Sequence, residues 1–129
     1  MNRACIAIVD GTSARLYAYQ RVDEDLPTLV EEKRLSDAGR GTKDAQFANE
    51  VVSELETIAT SQGFDHVILV ASPTMLAHLH TYETRLTRHG IRVDEVLRDL
   101  TRLTSPQIHD HLASLNVIEP RKRAAAAQR

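Results

Sequence analysis

The chain has 129 residues, which is enough for one domain with its own hydrophobic core and too few for several domains. Its formal net charge of −2 excludes a protein whose overall charge attracts nucleic acid, so any basic binding surface has to be local. Cys5 is the only cysteine, no apolar run is long enough to span a membrane, and the opening residues lead straight into a strand-like segment. We therefore expect a cytoplasmic protein without disulfides, in which Cys5 is a buried structural thiol.

Three strands are predicted in the first third of the chain. Residues 4–9 form an apolar run that stops at the turn signal Asp10-Gly11. Alternation of apolar and polar residues resumes over 14–22, with Tyr17 and Tyr19 expected on the wetter face of that strand. Residues 28–35 carry enough charge to be an edge strand, which leaves open a structural domain that binds a protein partner, or a second copy of itself, through this strand. Short connections between the three predict an antiparallel meander.

The apolar period then lengthens to three and four residues, which predicts helices alternating with strands. These elements are, in chain order, a helix over about 43–61 that ends at Gly63, a strand over 66–71, a helix from the Ser72-Pro73 cap to His89-Gly90, a strand over 91–97, and a helix that starts at Thr104-Ser105-Pro106.

The resulting order, β-β-β-α-β-α-β-α, predicts an α/β fold with a mixed five-stranded sheet. The natural strand order is 3-2-1-4-5, with strands 1, 4 and 5 parallel. Residues 1–118 are predicted to form a single domain, and residues 119–129 a basic, alanine-rich tail.

The most informative segment is Gly39-Arg40-Gly41-Thr42-Lys43, the glycine loop, which runs into the first predicted helix. Its glycines allow a close backbone approach to a ligand, and its arginine and lysine flank the free amides of a helix start. The segment is therefore a candidate site for phosphate or an RNA backbone. The alternative is a plain connector between a strand and a helix, and a lone Gly-x-Gly does not decide between the two.

Carboxylates near two predicted strands allow an enzymatic alternative. Asp10 ends the first strand, Asp94 lies in the last one, and Asp99 follows it. Two-metal nucleases need several carboxylates that converge on ions about 4 Å apart. The simpler interpretation, which we favour, is that Asp10 forms an Asx-turn with Gly11. We expect no catalytic residues, no metal site and no cofactor.

The six histidines do not change that expectation. His78 and His80, like His109 and His111, are two residues apart on predicted helices. Such side chains point about 200° from one another, so neither pair can share an ion.

Four segments, in this order, resemble the bacterial host attachment protein family. They are residues 8–17, with an Asp-Gly turn followed by Ala-Arg-Leu and an aromatic residue; residues 47–51; residues 64–73; and residues 98–106 together with His111-Leu112. That family is similar to the middle domain of eukaryotic and archaeal class-one peptide-chain release factors and of the ribosome-rescue protein pelota. The resemblance implies an RNase H-like α/β fold.

The resemblance also bears on function. In release factors a Gly-Gly-Gln tip precedes the long helix, whereas Thr42 and Lys43 stand where Gly-Gln would be expected here. Peptidyl-tRNA hydrolysis is therefore not expected. The resemblance implies a non-catalytic binding module with the ribosome or tRNA as partner through the glycine loop. Because no apolar run is long enough to span a membrane, we expect no membrane partner. Because the sequence shows no secretion signal, we expect the role in attachment to host cells to be indirect.

Overall fold

The computed structural model describes residues 4–21, 27–36 and 43–118. Its elements follow the predicted order, apart from a division of the second helix. They are β1 (Ala4–Val9), β2 (Ser13–Arg21), β3 (Pro27–Ser36), α1 (Asp44–Gln62), β4 (His66–Ala71), α2 (Pro73–Tyr82), α3 (Thr84–Thr87), β5 (Arg92–Leu97) and α4 (Ser105–Ser114).

The five strands form one sheet in the order β3-β2-β1-β4-β5, as predicted. β1 pairs antiparallel with β2 and parallel with β4, and β4 pairs parallel with β5. The carboxyl ends of β1, β4 and β5 therefore share one edge of the sheet. The start of β2 and the end of β3 lie at the same edge, since Ser13 pairs with Ser36.

Strand β1 supplies the centre of both core layers, because all six of its residues are buried. Cys5 and Ala7 face a cluster that includes Phe47 of α1. Ile6 and Ile8 face the opposite cluster, which contains the apolar side of α4. Helices α1 and α2 thus cover one face of the sheet, and α4 covers the other.

The prediction that Tyr17 and Tyr19 lie on a wetter face of β2 is wrong. Their side chains are 1% and 3% exposed, and they pack in the same cluster as Ile108 and Leu112. Tyr19 also meets the ring of His109 edge-on, with the ring centres 5.5 Å apart. The alternation along β2 is as predicted, but α4 packs on the face that was expected to be exposed to solvent.

The second predicted helix is divided at Glu83. The Glu83 amide donates to the His80 carbonyl at 3.2 Å, a step of three residues that tightens the helix locally. Helical bonding then resumes in α3, and the chain turns at Gly90, where φ is 77°. The tight step separates two short helices where the sequence predicted one.

Two further expectations concern membrane-spanning segments and the tail over residues 119–129. Among the helices that the structure describes, none is long and apolar enough to cross a membrane. The predicted tail over 119–129 lies outside the described residues, so its form stays a prediction.

Cys5 should resist thiol reagents in the native protein. Its side chain is fully buried, and this burial raises the pKa of the thiol to about 12, while the thiolate is the reactive form. At about pH 8 we expect iodoacetamide to modify Cys5 in denaturant and not in native buffer, because reaction requires the sheet to open. Mass spectrometry over a time course measures the modification. A native rate equal to that of free cysteine would contradict the central position of β1.

Candidate functional site

A cleft of about 300 Å³ opens at the carboxyl ends of the parallel strands. The residues that line it are Val9, Asp10, Ser72, Arg98, Asp99, Thr101 and Arg102. β4 leads into α2 on one face of the sheet, whereas β5 leads to α4 on the other. Connections that diverge to opposite faces leave a crevice between them, and such crevices are the usual ligand sites of open α/β sheets.

Asp10 closes the turn between β1 and β2. Its Oδ1 accepts hydrogen bonds from the amides of Thr12 and Ser13, both at 2.7 Å, and the Asp10 amide donates to the Ser13 carbonyl at 2.9 Å. This is the Asx-turn that the sequence favoured. One carboxylate oxygen is therefore committed to holding the turn.

Asp99 forms a similar turn after β5. The Thr101 hydroxyl donates to its Oδ1 at 2.7 Å and the Thr101 amide at 3.2 Å. These hydrogen bonds, and then the charge of Arg102, hold the pKa of Asp99 below its usual value. Asp99 is therefore ionised at neutral pH.

Arg98 and Arg102 give the cleft its positive side. Both are exposed, and neither forms an ion pair with a carboxylate of the described residues. Arg98 donates to the Leu97 carbonyl at 2.8 Å, which uses one of its five N–H groups. Both guanidinium groups keep donors free for an oxyanion.

The start of α2 adds a second source of positive potential. Ser72 is its N-cap, and its side chain makes no capping hydrogen bond. Pro73 follows at the first helical position, so the amides of Thr74 and Met75 begin the helix without an intrahelical acceptor. Free amides at a helix start attract anions.

Arg15 fixes the loop that carries the two cleft arginines. Its guanidinium donates to the carbonyls of Thr101, Leu103 and Leu100 at 2.6, 3.1 and 3.2 Å. Three charge-assisted hydrogen bonds to one short segment hold it against β2. These hydrogen bonds therefore hold the segment after β5 in place on its side of the cleft.

Sequence reasoning missed Arg15, Arg98 and Arg102 as site residues. A signal for the last two was present, since they flank Asp99 directly after the last parallel strand, where ligands of α/β folds bind. No local pattern pointed to Arg15, because its carbonyl partners lie more than 80 residues away along the chain.

The alternative metal set Asp10, Asp94 and Asp99 is not brought together. Asp94 pairs in the sheet with Ile68, which pairs with Ile6, so Asp10 lies four residues, or about 13 Å, farther along the strand direction. Asp94 instead contacts His66 at 2.6 Å and Arg92 at 3.2 Å. Within the described ranges, the one group of three potential ligand residues that meets contains none of these aspartates.

Most of the glycine loop cannot be compared with the prediction, since Gly39, Arg40, Gly41 and Thr42 lie outside the described residues. Lys43 is exposed and precedes α1 as its N-cap.

The described residues on either side of this segment lie close to the cleft. A Cβ placed on Gly11 would lie 3.8 Å from Asp44 Oδ1, so α1 begins beside the β1–β2 turn. Ser36, at the end of β3, pairs with Ser13 after the same turn. Ser36 and Asp44, which are described on either side of residues 37–42, therefore both lie at the edge of the sheet where the cleft opens.

Two solved structures share this fold. The Thermus thermophilus RuvC structure has a TM-score of 0.53, covers 94% of this chain and 84% of its own, and is 6% identical. T. thermophilus RuvC in complex with Holliday junction substrate has a TM-score of 0.54, covers 97% of this chain and 85% of its own, and is also 6% identical. At this identity the likeness shows the fold alone, and it confirms the predicted RNase H-like sheet. No curated protein matches the sequence.

A sequence family described as "Protein required for attachment to host cells" matches residues 36–112, which is more than half of the chain. The matched range contains the glycine loop, the start of α2 and both cleft arginines. The protein therefore belongs to the host attachment family.

Proposed function

We propose that this protein is a non-catalytic module that binds the phosphate backbone of nucleic acid in the cleft and serves host attachment indirectly. The observation that carries the proposal is the position of Arg98 and Arg102. Both line the cleft and neither forms an ion pair among the described residues, although the charge of Arg102 also acts on Asp99; Ser72 at the start of α2 lines the same cleft.

The charge of the whole chain makes this a local interaction. At a net charge of −2 the protein as a whole repels nucleic acid weakly, so attraction must come from cations within about 10 Å of the bound phosphates at 0.1 M salt. The two cleft arginines and the amides of α2 are positioned for this at the carboxyl edge of the sheet.

The partner we propose within this class is tRNA or the ribosome, contacted by the glycine loop together with the cleft. Two points support it: the resemblance to release-factor middle domains that we inferred from the sequence, and the position of Ser36 and Asp44 at the cleft edge. Lys43 would add a third exposed cation to that edge.

A metal-dependent nuclease is the second candidate. It is favoured by one observation, that Asp10 and Asp99 line the same cleft in a fold shared with RuvC. It is disfavoured by Asp94, which lies too far along the sheet to join them and is paired with His66. Two carboxylates without a third converging group are a weak basis for two-metal catalysis.

Removing the two cleft cations should weaken nucleic-acid binding. We expect Arg98→Ala plus Arg102→Ala to lower affinity for tRNA and for a Holliday junction by roughly tenfold or more, because each guanidinium donates charge-assisted hydrogen bonds. The slope of log affinity against log salt should become shallower by about two. Fluorescence anisotropy over a salt series measures both quantities.

A matched control uses two arginines at the opposite edge of the sheet. Arg88→Ala plus Arg92→Ala changes the net charge equally, but Arg92 begins β5 and Arg88 lies shortly before it. This variant should bind with a nearly unchanged salt slope. Equal losses in both double variants would show that binding follows net charge and not the cleft.

The glycine loop is tested separately with ribosomes. We expect Arg40→Ala plus Lys43→Ala to reduce co-sedimentation with ribosomes at low salt, because two cations would leave the contact surface. A quantitative pelleting assay with Lys33→Ala plus Arg34→Ala as control measures the effect, since those residues are ion-paired with Glu54 and Glu31. Absence of pelleting by the unaltered protein would contradict the ribosome as partner.

The nuclease candidate predicts cleavage of nucleic acid that depends on Asp10, and a single substitution tests it. Asp10→Asn keeps the Oδ1 acceptor that closes the turn, so the fold should persist. As a non-catalytic module, the unaltered protein should leave a Holliday junction and single-stranded RNA intact with Mg²⁺ or Mn²⁺. Cleavage on denaturing gels that disappears in the Asp10→Asn variant would establish the nuclease instead.

A further inference from the structure

A second group of functional side chains lies outside the cleft, where α2 passes to α3 beside β5. His80 lies in the last turn of α2, Glu83 links α2 to α3, and Glu95 lies in β5. One ligand atom from each lies within 4.8 Å of the other two. No other group of three His, Cys, Asp or Glu residues in the described parts of the chain meets this closely.

Two of the three separations are close to those in the ligand shell of a small divalent ion, and the third, between Glu83 and Glu95, is at most 4.8 Å. His80 Nδ1 is 2.8 Å from Glu95 Oε2 and 3.5 Å from Glu83 Oε1. Ligands that bind tetrahedral zinc at about 2.0–2.1 Å are roughly 3.3 Å from one another, which lies between these two values. A zinc ion therefore needs only small side-chain rotations to fit.

The local electrostatics favour a cation at this position. Glu83 and Glu95 are close neighbours at the carboxyl end of α2, where the helix dipole is already negative. Glu83 Oε2 is shielded from solvent and receives no hydrogen bond from any described residue. A carboxylate in that position gains from any positive charge that reaches it.

We propose that His80, Glu83 and Glu95 form a zinc site with a water molecule in the fourth position. The imidazole nitrogen decides the metal, since Mg²⁺ and Ca²⁺ prefer oxygen-only shells, whereas zinc accepts nitrogen and carboxylate oxygen together. The side chain of His80 is 72% exposed, so a zinc ion can reach the site directly from solution.

Such a site would join helices α2 and α3 to the edge of the sheet. β5 is the last strand of the sheet, and Glu95 is its contribution to the group. An ion held by all three residues would tie the α2–α3 junction to that strand, and this proposal is independent of the cleft. Without a metal, the same residues are an ion pair between His80 and Glu95, with Glu83 Oε1 3.5 Å from the His80 imidazole.

The test is zinc binding by tag-free protein after treatment with a chelator. Isothermal titration with Zn²⁺ at about pH 7.5 should show one equivalent, because the ligands bind metal in their deprotonated forms. His80→Ala and Glu95→Gln should each weaken binding roughly tenfold or more, since loss even of an outer-shell group costs about that much. Both residues are exposed, so neither change should unfold the protein.

His89→Ala is the matched control. His89 is also exposed and pairs with one carboxylate, Glu56, at 2.8 Å, but no second carboxylate of the described residues completes a group there. This variant should keep full zinc affinity. Equal weakening in the His80→Ala and His89→Ala variants would overturn the proposal, since it would mean that single surface histidines account for the binding.

Two further measurements keep the result unambiguous. Zinc should raise the melting temperature of the unaltered protein and of the His89→Ala variant, with little effect on Glu83→Gln, because a ligand that binds only the folded state stabilises it. X-ray absorption at the zinc edge should show one nitrogen and otherwise oxygen neighbours at about 2.0–2.1 Å. Absence of a one-equivalent zinc isotherm would also overturn the proposal and leave the trio as an ion-paired cluster.

Discussion

The burial of β1 on both of its faces is the constraint on which the remaining structure depends. Small residues, Cys5 and Ala7, face the layer that contains Phe47 of α1, and larger ones, Ile6 and Ile8, face the α4 layer. A slip of one residue would exchange these two sets and place the larger side chains against α1. Each fully buried isoleucine contributes about 1.5–3 kcal/mol, so the register of β1 is strongly specified.

That register determines where the cleft lies. With β1 parallel to β4, and β4 to β5, three strands end at one edge, and the chain leaves β4 and β5 toward opposite faces. The alternation along β2 that buries Tyr17 also sends Arg15 toward the segment after β5, where it binds three carbonyls. Hydrogen bonds of this charged kind contribute about 1.5–3 kcal/mol each, so the sheet itself supports the arginine-bearing wall.

The sequence was sufficient for the strand order and for every element except the division between α2 and α3, because those elements carried local signals. β1 and β4 were continuous apolar runs, Gly63 ended α1 with a φ of 75°, and Thr104 capped α4 by accepting from Gln107. These are short-range preferences of backbone and side chain, which a sequence displays directly.

The site was harder to predict because its contacts are distant along the chain. His80 meets Glu95 across 15 residues, and Arg15 meets Thr101 across 86. Asp94 and Asp99 looked equivalent as candidate ligands, yet one faces His66 within the sheet and the other lines the cleft. Pairings of this kind depend on strand register and on the α2–α3 division, neither of which a local pattern contains.

Helix α2 connects the two proposed sites, since its start faces the cleft and its end carries His80. An anion at the first turn and a cation at the last both complement the same helix dipole. The 10 residues of the helix span about 15 Å, which exceeds the screening length of about 10 Å at 0.1 M salt, and dipole effects fade within one turn. Each site therefore gains from α2 separately, so one helix serves two ions of opposite sign without making either depend on the other.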